Sequence, residues 1–100
     1  MKFMQEKLEI LRKVAKKPTY SQRELAFELN ISVGKINYIL NELKKKGLVK
    51  IGNFKKNKNK TNYFYLLTAK GIANKSKLTL KFMKLKLQEY DQLKKEINEK

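Results

Sequence analysis

Apolar positions in this chain recur first at helical spacing, switch to strand-like clusters, and return to helical spacing for the last third. Met4, Leu8, Leu11, Val14 and Ala15 repeat at i, i+4, i+7, which marks one buried face of a helix from Met4 to Lys16. Pro18 ends it, having no N–H to continue the ladder. In "YSQRELAFELN", Ser21 and Glu24 have the spacing of a capping box, and Leu25, Ala26 and Leu29 follow on one side. A short second helix ending near Asn30 is predicted. Ser32 then offers an N-cap to "SVGKINYILNELKKKG", a third helix of about fifteen residues, roughly 22 Å long. Gly47 stands where a C-cap belongs, and lysines in the last turn suit the negative end of the helix dipole.

Only "NIS" separates the second and third helices, and so short a turn between two capped helices is the helix-turn-helix pattern. The period then changes. "LVKIGN" and "NYFYLL" are rich in β-branched and aromatic residues and predict two antiparallel strands joined by a loop at residues 54–61. Thr68 caps a last helix reaching to about Asn98, roughly 45 Å long. That exceeds the span of about 26 Å of a compact globule of this chain length. The predicted fold is therefore mainly α with a small β-hairpin: a winged helix-turn-helix over residues 1–68, its hairpin at 48–67, then a long helix over 69–100.

On a wheel of 100° per residue, Val33, Ile36, Ile39, Leu40 and Leu43 form the core stripe of the third helix. The opposite side presents Gly34, Lys35, Asn37, Tyr38, Asn41 and Lys45. A merely solvated face would carry Glu and Lys pairs at i, i+4. This one offers amides, a phenol and cations, groups that bond base edges and phosphates. Gly34 removes a side chain where backbone could approach a phosphate. Ser21, Gln22, Arg23 and Ser32 stand at the starts of the two helices and join the candidate DNA-binding set. Exposed polar residues without a partner are the bland alternative, and Tyr38 can equally pack on a neighbouring helix.

Charge sharpens this picture. The net charge is +16, and between Glu42 and Glu89 there are fourteen lysines and no acid. Such a block repels itself, so a polyanionic partner is the simplest account, with solubility the alternative. The hairpin tip "FKKNKNKTN" then becomes a wing whose Lys55, Lys56, Lys58 and Lys60 contact phosphate or line the minor groove. Lysine is a flexible point charge, so this wing is expected to supply affinity more than discrimination. A mobile solvated loop is the competing reading.

The last helix carries Leu78, Phe82 and Leu85 on one side, and Leu80, Met83, Leu87 and Tyr90 on another. Leu93 and Ile97 lie between. So wide an apolar surface predicts burial against both the body and a second chain, giving a homodimer through Leu80, Met83, Leu87, Tyr90, Leu93 and Ile97. Lys86 and Thr79 interrupt the seam that includes Leu93, which argues against a strict two-stranded coiled coil. A basic amphipathic helix lying on an anionic membrane is the weaker alternative, because Glu89, Asp91, Glu96 and Glu99 return at its end.

Apolar content of 41% and aromatic content of 10% suffice for a core, so a folded domain is expected despite the charge. With no Cys and no His, disulfides, thiol chemistry, His proton shuttling and the usual zinc sites are excluded. No Gly-rich phosphate loop or paired carboxylates stand out, so no enzyme, cofactor or metal is expected. "MKFMQEKLEI" lacks the apolar run of a signal peptide, and no window reaches the roughly 18 apolar residues of a membrane span. A cytoplasmic protein is the expectation.

The order of elements, with "SQRELAFELNISVGKINYILNELKKKGLV" and "YLLTAKG", resembles MarR-type winged-helix regulators. "NKTNYFYLLTAKGIANK" and "KLQEYDQLKKEI" are similar to the small MarR-like group associated with bacterial exopolysaccharide gene regions. The resemblance implies a dimeric transcriptional regulator binding double-stranded DNA, tied to polysaccharide or cell-surface genes. MarR wings usually carry an Asp-x-Arg motif that "NFKKNKNKTN" lacks, so wing contacts do not transfer. A protein-docking winged helix and an RNA-binding winged helix are the other two functions considered.

Overall fold

The computed structural model describes residues 2–57 and 60–99. Six elements follow in order: α1 (Lys2–Lys16), α2 (Gln22–Leu29), α3 (Val33–Lys45), β1 (Val49–Asn57), β2 (Lys60–Leu67) and α4 (Ala69–Asn98). Ile10, Leu11, Val14, Leu25, Ile36, Ile39, Leu40 and Leu43 form the fully buried centre, where α1, α2 and α3 meet. Leu48, Val49, Tyr65 and Leu78 close it from the hairpin and α4.

Each helix boundary has a local cause. Ser21 Oγ accepts from the Glu24 N–H at 3.0 Å, and the Glu24 carboxylate accepts from the Ser21 N–H at 3.1 Å, which completes the capping box. Asn30 adopts the left-handed conformation at φ 55°, and the Ile31 N–H turns back to the Ala26 carbonyl. Gly47, at φ 73°, ends α3 the same way. Its N–H donates to the Lys44 carbonyl and the Leu48 N–H to the Leu43 carbonyl, the two bonds of a Schellman motif.

The strands alternate as a half-buried hairpin should. Val49 pairs with Leu67 and Ile51 with Tyr65 on the face that meets the core. Past these pairs Asn53 and Tyr63 are exposed, and the ladder continues away from the body to Asn57 and Lys60. The Tyr65 N–H also donates to the Pro18 carbonyl at 2.9 Å, which ties β2 to the α1–α2 turn.

Three expectations are corrected. The strands run into the segment read as a loop at 54–61: β1 reaches Asn57 and β2 begins at Lys60, because pairing carries on through an irregularity between Lys55 and Asn57. Val33 is 43% exposed rather than core, since the first residue of α3 lies at the rim of the stripe. On α1, Ile10 is fully buried and Ala15 exposed, because this helix packs against α2, α4 and β2 and needs more than one apolar line.

Thr68 starts α4 and bolts it to the end of α3. Its hydroxyl donates to the Gly47 carbonyl at 2.6 Å and accepts from the Gly71 N–H at 2.9 Å, while its own N–H donates to the Leu48 carbonyl. Gly71 passes so close to Leu48 that an added Cβ would overlap the Leu48 carbonyl oxygen. The far end of α4 leaves the body: every residue from Lys86 to Glu99 is exposed, and the radius of gyration is 17.0 Å. A compact chain of this length would have about 13 Å.

Gly71→Ala is expected to lower stability by roughly 1–3 kcal/mol, since backbone must move to admit the methyl group. Thermal or urea unfolding checks it; an unchanged midpoint would contradict the close packing of α4 on Leu48.

Candidate nucleic-acid interface

Four residues of α3, Ile36, Ile39, Leu40 and Leu43, are at most 1% exposed. That anchors one side of the helix and turns the other to solvent. Gly34, Asn37, Tyr38, Asn41 and Lys45 are all exposed there. No heavy atom lies within 4 Å of the position a Gly34 Cβ would take, so the backbone of the first turn is open to an approaching group.

The amides on this face are connected. Asn41 Nδ2 donates to Asn37 Oδ1 at 3.1 Å, and Asn37 Nδ2 reaches Gln22 Oε1 at 3.4 Å. Gln22 is the first residue of α2, so the turn places the start of one helix beside the outer face of the next. Each amide nitrogen carries two hydrogens. The row therefore keeps donors for a ligand while the carbonyl oxygens of Gln22 and Asn37 are held in order.

Ser21 and Ser32 are engaged as caps, their oxygens accepting from Glu24 and Lys35 N–H groups. Their hydroxyl protons remain for an outside acceptor. The two helix starts differ in charge. Hydrogen bonds from Ser21 hold Glu24 below the usual carboxylate range, so a fixed negative charge sits at the start of α2. The first turn of α3 has no acid. Arg23 is exposed on α2.

Lys35 faces α1 as much as solvent. Its Nζ lies 2.8 Å from Glu6 Oε1, and Glu6 is 7% exposed. The contact is an ion pair without hydrogen-bond geometry, as no hydrogen-bond partner satisfies that oxygen. Lys35 thus neutralises a buried acid and fixes α1 to α3. Tyr38 is 57% exposed, and its ring lies 6.3 Å from that of Phe3 at 58°. It meets a neighbouring helix and solvent together.

Partial burial first, then repulsion from Lys46, holds Lys7 below the ordinary lysine value. The cations are crowded where α1 crosses the end of α3. Lys44 is exposed at the edge of the amide face, a residue that sequence reasoning assigned only to the helix dipole. Its position about 20° from Asn37 on the wheel was the available signal. Lys55, Lys56 and Lys60 lie on the two strands near the hairpin tip. Lys58 lies outside the described residues.

Residues 7–50 match the family model described as winged helix-turn-helix DNA-binding, a match that spans α2, α3 and most of α1. The fold is a winged helix-turn-helix. Solved structures of MarR-family proteins share it. Mycobacterium tuberculosis MarR family protein Rv2887, solved with p-aminosalicylic acid, gives a TM-score of 0.61 at 23% identity over 75% of this chain and 55% of that one. Streptococcus pneumoniae FabT, solved in complex with DNA, gives 0.61 at 21% identity over 90% and 58%. S. aureus MepR gives 0.69 at 21% identity over 99% and 70%. The chain thus spans little more than half the length of Rv2887 and FabT. No curated protein matches it.

In winged-helix terms, α2 and α3 are the helix-turn-helix pair and β1–β2 is the hairpin that follows it. The described residues include no cluster of His, Cys, Asp or Glu able to hold a metal ion. No helix among them is long and apolar enough to cross a membrane.

Lys35→Met is expected to cost about 1–2 kcal/mol by leaving Glu6 buried without its cation. Adding Glu6→Gln should recover most of that loss. Chemical denaturation of the single and double variants decides; strictly additive losses would contradict the coupling.

Proposed function

We propose that this chain is a homodimeric transcriptional regulator that reads a near-palindromic double-stranded DNA site. The observation that carries this reading is the face of α3. A fully buried stripe fixes the helix, and Gly34, Asn37, Tyr38, Asn41 and Lys45 stand opposite it in solvent. Asn is the side chain whose amide pairs bidentately with adenine in the major groove. The ordered row Gln22–Asn37–Asn41 supports that role, because side chains held in place lose less freedom on binding. Gly34 leaves the backbone accessible to phosphate, and in this reading the exposed Ser21, Arg23, Ser32 and Lys44 hold phosphates.

Lys35 serves chiefly to set the angle of α3 through Glu6. The wing, with Lys55, Lys56, Lys58 and Lys60, supplies sequence-independent affinity at the backbone or minor groove. The face of α4 that includes Leu80, Met83, Leu87, Tyr90, Leu93 and Ile97 joins two copies, so that two α3 helices enter half-sites about one helical turn, roughly 34 Å, apart. The chain acts in the cytoplasm without catalysis. Its hairpin-to-tail likeness to the exopolysaccharide-associated group points to cell-surface polysaccharide genes as targets.

Two outcomes separate this reading from its competitors. With six to ten phosphates neutralised, affinity should fall by roughly 10³ to 10⁵ between 50 and 200 mM salt. Asn37→Ala or Asn41→Ala should cost about 1–3 kcal/mol on the preferred site and relax its sequence preference. Fluorescence anisotropy on specific and scrambled duplexes measures both. If neither substitution changes discrimination, α3 is not the reading element. Tighter binding to RNA than to duplex DNA would favour the RNA-binding alternative.

Gly34→Ala gives an independent check. The methyl group has open space, so stability should hold or rise by up to about 1 kcal/mol, while DNA affinity falls. Unchanged affinity would remove Gly34 from the interface.

A further inference from the structure

Beyond the body, α4 has a register that the two-patch reading of its sequence did not reveal. Leu80, Met83, Leu87, Tyr90, Lys94 and Ile97 recur at spacings of three and four, the a and d pattern of a heptad. The five apolar members are 61–72% exposed, although each is large enough to be costly in water. Leu78 and Phe82, on the opposite side, are the residues that pack on the core. The exposed stripe therefore has no role within its own chain.

Charge along the same helix is strongly asymmetric. In the outer half of the helix Lys81, Lys84 and Lys86 precede Glu89, while Glu89, Asp91 and Glu96, with Glu99 at its C-cap, outnumber Lys94 and Lys95 beyond. Two such helices side by side in parallel would align their basic halves and set Lys94 against its own copy. Turned end for end, the acidic end of each meets the basic half of the other.

We infer that two copies of this chain associate through an antiparallel α4 pair in which Leu87 packs against the partner's Tyr90. This rests on the homodimer proposed above and specifies how it is built. The register sets Leu80 opposite the partner's Ile97 and Met83 opposite the partner's Lys94, whose stem lies along the seam while its ammonium reaches water. On one flank Lys84 faces the partner's Asp91, twice per dimer.

The other flank accounts for a groove between α1 and α4. Leu8, Arg12, Thr79, Phe82, Met83, Lys86 and Leu87 line a mostly apolar hollow of about 590 Å³. In the antiparallel register the partner's Leu93 meets this hollow. The partner's Glu89 and Glu96 flank that leucine and meet Arg12 and Lys86 at the groove's rim. Leu93, which fits neither patch in a reading of the single helix, thereby gains a site.

The bodies pack along α4 between Gly71 and Phe82, centred about twelve residues from the dyad. At 1.5 Å per residue they lie roughly 36 Å apart along the helix axis. That separation suits two recognition helices one turn of duplex apart.

The absence of native cysteine makes the test direct. Leu80→Cys and Ile97→Cys variants, mixed and oxidised, should form a disulfide-linked heterodimer. Neither should link to itself, because the two copies of position 80 are about 25 Å apart. Self-linking of each variant with no mixed product means a parallel pair and overturns the inference. If wild-type protein is dimeric and still binds a palindrome, that result leaves the proposed function standing.

Lys84→Asp should weaken the dimer by about tenfold in sedimentation equilibrium, and adding Asp91→Lys should restore it. A double variant no tighter than the single one counts against the pairing. A wild-type protein that stays monomeric both free and on DNA overturns the inference and the homodimer together.

Discussion

The join between α3 and α4 is the constraint on which the rest of the structure depends. Gly47 must take a left-handed conformation to end α3, and Gly71 must lack a side chain for α4 to pass against the Leu48 carbonyl. Thr68 spans the two with its hydroxyl and its N–H. Three small residues thus fix the angle between the helix with the amide face and the helix with the exposed apolar stripe. Whatever seats α4 also orients α3. In the proposed dimer the spacing of the two α3 helices is set by this junction and the α4 pairing, with no flexible linker between them.

Electrostatics is divided along the chain in a way that matches this mechanical plan. Inside the body, acids are used to hold helices together: Glu24 caps α2, Glu28 meets Lys13 at 3.4 Å, and Glu6 meets Lys35. From Leu43 to Gln88 the sequence has fourteen lysines and no acid, and Lys86 finds its acid one turn on, in Glu89 at 3.9 Å. A block of this kind weakens the folded state through self-repulsion. In the proposed assembly a polyanion would relieve it at the wing, and the acidic end of a second α4 would relieve it along the helix.

Most of the fold was legible because its signals are local. Ser21 with Glu24, Ser32, Gly47 and Thr68 mark helix ends through bonds that span three or four residues, and all four act as expected. Less visible was anything set by which element packs on which. Ile10 is buried because α1 packs on α2, α4 and β2 together, a fact no single-face wheel contains. The strands outrun the predicted loop because pairing across the hairpin outweighs the poor strand preference of Lys and Asn.

The candidate interface was legible as a face and less so as individual side chains. Asn37, Tyr38 and Asn41 stand outward as their spacing implied. That Lys35 is engaged by Glu6 could not be read, since α1 and α3 are joined only through tertiary packing. Lys44 was passed over because a lysine run at a helix end already had a sufficient local explanation.

The central claim is that α3 reads base sequence while α4 sets the spacing of two copies. Selection of bound sequences from random duplex DNA, with the mass of the selected complex measured alongside, tests it most directly. The account predicts an enriched inverted repeat with half-site centres about 10 base pairs apart, bound by two chains. Recovery of no common sequence, or of a single half-site bound by one chain, would contradict it.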